Sequence, residues 1–298
     1  MPFFSIIIPV YNRRSFIVET MHSVLQQTFT DFEVVVVNDG STDDTLSVLK
    51  DAFGKNPKIR IIEQENKERG AARNNGLKNA SGTYVVFFDS DDIMLPDHLE
   101  TLNKNILQEN YPTLIATHFN INRAGKLFPS DSCSLSKGYY DYHLFLNGNP
   151  LGCNVCVLRN NPALHLFEED RRYAIFEDWM FLLQNLVQQK VYMVDRVTIT
   201  MNDHDKRSMN SEYHTLINKI TLAQSWIEEH LPLTSENKLT LHAHVNYFCA
   251  IHCYASNHRR ETMRYLRNAA KLTGWKIKYI VLVLKSIPGH KFLAKLRS

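Results

Sequence analysis

The chain has 298 residues, 44% hydrophobic and 22% charged, an ordinary globular composition long enough to bury a core without disulfide staples. Its five cysteines are odd in number and follow no framework, which argues for a reducing compartment and against a disulfide scaffold. The net charge of +3 hides an asymmetry: residues 1–258 carry 23 Lys/Arg against 30 Asp/Glu, and residues 259–298 carry 11 against the single acid Glu261.

The opening MPFFSIIIPVYN lacks a basic n-region and a small-residue cleavage site, so it reads as a strand, Phe3–Val10, and not as a signal peptide. No apolar run reaches the roughly 18–20 residues of a transmembrane helix. Ser15–Gln27 has helical spacing with Ser15 as N-cap. Phe32–Val37 is a second strand ending in NDGSTDD, where Ser41 or Thr42 caps the next helix. Strand Ile59–Ile62, helix Gly70–Asn79 and strand Tyr84–Phe88 follow, then helix Pro96–Gln108 and strand Leu114–Ile121. Strands separated by single helices predict right-handed βαβ units and a doubly wound, mostly parallel α/β sheet. Residues 123–212 are less regular, with strands near Val155–Arg159 and Val191–Val197 and one clear helix, Phe176–Gln189. From Tyr213 onward four helices are predicted, over 213–230, 236–257, 259–272 and 275–286.

Polar signatures follow three strand ends, PVYN, NDGS and DSDD, and ligands of parallel sheets sit beyond those ends. In FFDSDD (87–92) the carboxylates of Asp89, Asp91 and Asp92 repel unless a cation sits among them; oxygen ligands suit Mg²⁺ or Mn²⁺. A solvated acidic turn capping the next helix fits the same residues. Asp39, after an apolar strand, is placed to accept a hydrogen bond from a base or ribose, or simply to complete a βα turn. Arg73 in GAARNNG offers a fork for phosphate or for one of the motif aspartates. Glu177 and Asp178 open the mid-chain helix, where they serve the helix dipole or hold a general base. His204, in the loop MNDHDKRSMN, completes a metal site or is solvated; Lys206, Arg207 and Ser208 suit phosphate oxygens. Cys153-x-x-Cys156 lacks a second pair and reads as buried thiols in preference to a metal or redox site.

In this order and spacing, SIIIPVYN, VVVVNDGSTDDT, GAARNNGLKNASGTYVVFFDSDD and FEDW resemble the inverting family 2 glycosyltransferases of GT-A fold, over about residues 3–212. The resemblance implies a catalytic domain over 1–212, with the nucleotide-sugar side at about 1–110 and the acceptor side at about 111–212, and a helical basic extension over 213–298. It implies that Pro9, Val10 and Tyr11 line the base pocket, that Asp39 binds the base, usually uracil, and that Arg73 lies at the nucleotide. It further implies that Asp89 with Ser90 meets the donor, that Asp91 ligates Mn²⁺ or Mg²⁺ with Asp92 adjacent, and that His204 is a later metal or diphosphate ligand. Asp178 matches the catalytic base. Asn202 stands where many members carry an Arg two positions before this His. The implied partners are a nucleotide-sugar, with UDP as nucleotide, and a glycan or lipid-linked acceptor.

The tail GWKIKYIVLVLKSIPGHKFLAKLRS interleaves lysines with Trp275, Tyr279 and an apolar run, a composition suited to an anionic membrane interface; a helix packed on the catalytic domain is the other reading. No nucleic-acid motif accompanies the charge. The expected location is cytoplasmic, peripheral on the inner face of the cell membrane. The rival functions are a non-catalytic nucleotide-sugar binder of the same fold and a sugar nucleotidyltransferase. The latter lacks its Gly-rich phosphate loop here, as a nicotinamide enzyme lacks G-x-G-x-x-G.

Overall fold

In the computed structural model, which describes residues 1–205 and 211–286, the run FSIIIPV forms strand β1 (Phe4–Val10) with all seven residues buried. A strand apolar on both faces needs cover above and below and a neighbour at each edge. β2 (Phe32–Asp39) and β4 (Tyr84–Phe87) occupy those edges, both parallel to β1. β3 (Ile59–Gln64) adds to β2, again parallel. The connections are helices α1 (Ile17–Leu25), α2 (Thr45–Phe53) and α3 (Glu68–Lys78). The chain leaves β1 towards β2 on one side and comes back to β4 on the other. The strand order therefore reverses at β1, and the crevice beyond the carboxyl ends of β1 and β4 is the ligand position of such sheets.

β5 (Ile93–Met94), α4 (His98–Gln108), β6 (Leu114–Arg123), β7 (Lys126–Pro129), β8 (Gly138–Tyr140), β9 (Cys156–Arg159), α5 (Glu177–Leu186) and β10 (Val191–Asp203) complete the α/β unit. The strand order is β3-β2-β1-β4-β9-β6-β10-β5, with β7 on β6 and β8 on β10. The doubly wound parallel half is present as expected. Past β4 the sheet becomes mixed: β9 runs antiparallel to β4 and β6, while β10 is parallel to β6. This unit comprises Met1–Phe145 and Asn149–Asp205; the second comprises Leu146–Gly148 and Lys206–Ser298.

Three local expectations are corrected. β10 does not stop at Val197 but continues to Asp203, paired residue by residue with β6 from Ile199 on, after a register shift, as far as Arg123. Its polar end is held across the ladder by Asn122 Nδ2 donating to Asn202 Oδ1 at 3.0 Å. Ser15 does not cap α1, whose N-cap is Phe16, and neither Ser41 nor Thr42 caps α2, whose N-cap is Asp44. The last two hydroxyls are spent on the neighbouring loop instead. The predicted phosphate ligands Lys206, Arg207 and Ser208 lie outside the described residues.

α3 approaches the sheet through Gly76: a Cβ there would lie 2.3 Å from Ile7 Cγ2 and 3.4 Å from Val37 Cγ2. Alanine gains about 1 kcal/mol of helix propensity, but overpacking a tight interface costs about 1–3 kcal/mol. Gly76→Ala is therefore expected to lower the urea midpoint at unchanged m-value; a midpoint above wild type would refute the close approach.

The second unit is built on α6 (Tyr213–His230), α7 (Ser235–Ala255), α8 (Arg259–Thr273) and α9 (Ile277–Ser286). α6 buries Leu216, Ile220, Ala223 and Ile227, and α7 buries Leu241, Val245, Cys249 and Cys253, each set a three-four stripe along one helix face. Thr234 caps α7, its Oγ1 accepting from the Asn237 N–H at 3.2 Å. Among the described residues no helix is long and apolar enough to cross a membrane.

Candidate active site

The loops after β1 and β2 are stitched together by Asn12, a left-handed residue with φ 50° of the type that tolerates this conformation. Its N–H donates to Ser41 Oγ at 3.1 Å, and its Oδ1 accepts from the Thr42 N–H at 2.8 Å. Pro9 and Val10 are buried within β1, whereas Tyr11 is 43% exposed and offers a ring face at the loop. Val10 pairs with Asn38, so Tyr11 stands level with Asp39 one residue on. Asp39 is buried at the end of β2, with Oδ1 accepting from Gln64 Nε2 at 2.7 Å and from the Lys67 N–H at 2.9 Å. Gly40 follows at φ 69°, a turn that a side chain resists.

The DSDD turn after β4 splits its acids among different partners. Asp91 Oδ2 lies 3.1 Å from Arg13 Nε and 3.0 Å from His204 Nε2. The His204 ring stacks on Phe16, with centroids 4.5 Å apart, which fixes its plane. Asp92, adjacent to Asp91 in the turn, is buried, with Oδ1 accepting from the Asn202 N–H at 2.9 Å and Oδ2 from Asn154 Nδ2 at 2.8 Å. The Asn202 side chain donates to the Asp91 carbonyl at 2.7 Å. Asn202 thus ties the turn after β4 to Asn122 of β6. Ser90 is buried in the turn.

Asp89 faces another cation. Arg73, 3% exposed, donates through Nη2 to Asp89 Oδ1 at 2.9 Å and through Nη1 to Glu177 Oε1 at 3.1 Å. Arg73 thus pairs with one of the motif aspartates, as the sequence allowed, and also with Glu177. Burial works against the guanidinium charge, and Asp89, Glu177 and Asp178 outweigh it, so the group stays charged. Arg69, one turn earlier on α3, also reaches Glu177 Oε1, at 3.4 Å.

Asp178 is half-buried in the first turn of α5. Its Oδ1 accepts from the Trp179 N–H at 2.7 Å and its Oδ2 from Asn149 Nδ2 at 3.1 Å. Desolvation, then the charge of Glu177, push its pKa up to about 7; Arg73 and the Trp179 N–H oppose them. A carboxyl poised near neutrality on a rigid helix start is suited to taking a proton. The chain enters α5 through Ile175 at φ 93°, a conformation β-branched residues avoid. Cys153 and Cys156 are free and buried, with thiols pushed up by burial, so they are inert.

The structure therefore brings together Arg13, Asp91 and His204, and separately Arg73, Asp89, Glu177 and Asp178. Asp39 sits at the neighbouring strand end with backbone and amide partners. Arg13, Asn149 and the ion-pair role of Glu177 were not singled out from the sequence; the pair Arg13-Arg14 directly after PVYN was the available signal for the first. Among the described residues no three His, Cys, Asp or Glu side chains form a metal cage. Asp91 and His204, each about 15% exposed, are donor types that would suit an ion such as Mn²⁺ or Mg²⁺.

Residues 5–165 match the model of glycosyl transferase family 2. The chain belongs to this family. It is 29% identical over 263 residues to the glycosyltransferase GlyA of Streptococcus pneumoniae, covering 82% of this chain and 35% of that protein. It is 38% identical over 140 residues to the chondroitin synthase of Escherichia coli, covering 47% and 19%. The chain thus spans about a third or less of the length of these curated relatives. The crystal structure of Staphylococcus aureus TarS 1–349 in complex with UDP-GlcNAc superposes with a TM-score of 0.66 at 21% identity, covering 95% of this chain and 84% of that one. That likeness establishes the GT-A fold for this family member.

Proposed function

We propose that this chain transfers a sugar, with inversion, from a UDP-sugar to a hydroxyl of a glycan or lipid-linked acceptor, in polysaccharide or glycoconjugate synthesis. The observation that carries the reading is the place of Asp178 in the first turn of α5, next to Glu177, which shares Arg73 with Asp89 of the DSDD turn. Asp178 accepts the acceptor's proton while the acceptor oxygen bonds to the anomeric carbon. The bond to the nucleoside diphosphate breaks on the opposite face, so configuration inverts without a covalent enzyme intermediate. Asp91 and His204 would hold Mn²⁺ or Mg²⁺, which supplies charge to neutralise the departing diphosphate. Tyr11 stacks on the base and Asp39 receives its imide N–H, while Asp89 and Ser90 meet the ribose side. The bound sugar is a hexose or N-acetylhexosamine, in line with the UDP-GlcNAc bound by TarS. Residues 1–212 form the catalytic domain, donor side at about 1–110 and acceptor side at about 111–212. Residues 213–298 form an extension that holds the enzyme peripherally at the cytoplasmic face of the membrane.

The test is a panel of nucleotide-sugars with Mn²⁺, scored for donor hydrolysis. Turnover of one UDP-sugar that ceases in Asp91→Ala supports the enzyme. Tight donor binding without turnover in any acceptor mixture would favour the non-catalytic binder.

Arg13 adds a second expectation. A divalent ion held by Asp91 would compete with the Arg13 guanidinium for Oδ2. Once displaced, its fork is available to the diphosphate, the role for which Asn202 supplies no arginine. Arg13→Gln is expected to bind Mn²⁺ about tenfold more tightly than wild type without nucleotide and UDP about tenfold more weakly, as measured by calorimetry. Changes of the same sign in both would remove Arg13 from this exchange.

A further inference from the structure

α9 has two unlike faces. Tyr279, Leu282 and Ser286 are buried, and Tyr279 and Leu282 join Ala250, Leu266 and Ala269 in the core of the helical unit. On the other side Ile277, Ile280, Val281 and Leu284 are all exposed, Ile277 at 82% and Leu284 at 59%. Their spacing of three and four residues makes one continuous apolar stripe. Trp275, 57% exposed, precedes the first turn. A stripe of large aliphatics in water marks a contact surface.

α8 carries the complementary element. Arg260, Arg264, Arg267 and Lys271 repeat every three to four residues and are all exposed, on the face opposite the buried Thr262, Leu266 and Ala269. No acid occurs in the sequence after Glu261. A solvated cationic helix explains α8 alone, and a protein partner explains α9 alone. The two together, with a cationic face whose one acid, Glu261, pairs with Arg264 and a tryptophan at the apolar border, match a surface that is anionic and apolar at once without demanding a fitted shape. That surface is the headgroup region of a lipid bilayer.

We infer that α9 inserts its Ile277/Ile280/Val281/Leu284 stripe into the boundary of an anionic leaflet while the α8 cations lie on lipid phosphates. This deepens the peripheral-membrane part of the reading above by naming the face that makes the contact. It is independent of the donor chemistry.

The full chain is mixed with phosphatidylcholine vesicles, with and without phosphatidylglycerol, and followed by flotation and tryptophan emission. Wild type is expected to float with the anionic vesicles, with a blue shift that is lost in Trp275→Phe, and to be released by salt. Ile280→Ser with Leu284→Ser is expected to weaken uptake about tenfold or more. Arg264→Gln with Arg267→Gln and Lys271→Gln is expected to weaken uptake about fivefold per charge, on anionic vesicles alone. Circular dichroism and vesicle-free donor hydrolysis should match wild type in both variants. Vesicle uptake without any donor hydrolysis supports this inference while sinking the transferase reading. Failure of wild type to float, or equal flotation of all forms, overturns it. So does a dimer that Ile280→Ser/Leu284→Ser dissociates without any vesicle uptake, since a second copy then covers the stripe.

Discussion

Asp178→Asn is expected to lower the transfer rate at pH 7.5 by about 10²–10⁴-fold, the span for loss of a general base, with UDP affinity within a few-fold of wild type. The pH profile distinguishes this from general damage. Desolvation and Glu177 raise the Asp178 pKa to about 7, so the carboxyl is protonated and idle below that pH and ionised above it. In wild type, kcat/KM should climb with a slope near one up to about pH 7 and then level; in the Asn variant it should be flat. Glu177→Gln removes a charge that raises the pKa and leaves Arg73 to act on Asp178, so the climbing limb should move to lower pH. A limb that stays put in Glu177→Gln, or an Asn variant with more than about a tenth of the wild-type rate, would remove Asp178 from the base role. Linkage gives an independent readout. The folded-state pKa lies above the unfolded value of about 4, so stability from this group is present below pH 4 and is lost as pH rises through about 7. The Asn variant lacks that loss, and the gap between its urea midpoint and that of wild type should widen in its favour between pH 5 and pH 8.

The second large effect belongs to Asp91. Asp91→Ala removes the carboxylate that faces both Arg13 and His204, and with it the position proposed for the divalent ion. Several kcal/mol of leaving-group stabilisation should be lost, about a 10³-fold drop in kcat/KM, together with Mn²⁺ binding in the presence of UDP. The Mn²⁺ signal in electron paramagnetic resonance checks the binding without any turnover. His204→Ala leaves the carboxylate and should raise the Mn²⁺ requirement about tenfold. Undiminished Mn²⁺ binding by Asp91→Ala would place the ion elsewhere. Asp92→Asn is expected to act through folding, because its two oxygens hold Asn202 and Asn154.

What could be read from the residues and what could not follows from where the information lies. β1, β2 and β4 were legible because a strand buried on both faces is a continuous apolar run, and its polar end is a site by topology alone. The family motifs then supplied the fold. The helix caps were misread because Ser41 and Thr42 satisfy Asn12, thirty residues away, in place of their own helix. The end of β10 was invisible because TMND carries no strand signal without β6 beside it. Arg13, Asn149 and the ion-pair role of Glu177 were missed for the same reason. Their function is a partner fixed by tertiary structure, and apart from the place of Arg13 directly after PVYN nothing local distinguishes them from other polar residues.

Ile175 carries a practical warning. A β-branched residue held at φ 93° at the threshold of α5 is a stored cost, and a screen for heat-resistant variants would be drawn to it, glycine first. The same residue leads directly into the helix that carries Asp178, the base proposed above. Each degree gained by relaxing that threshold is expected to be returned as lost turnover, making this position a poor choice for engineers who want a tougher catalyst.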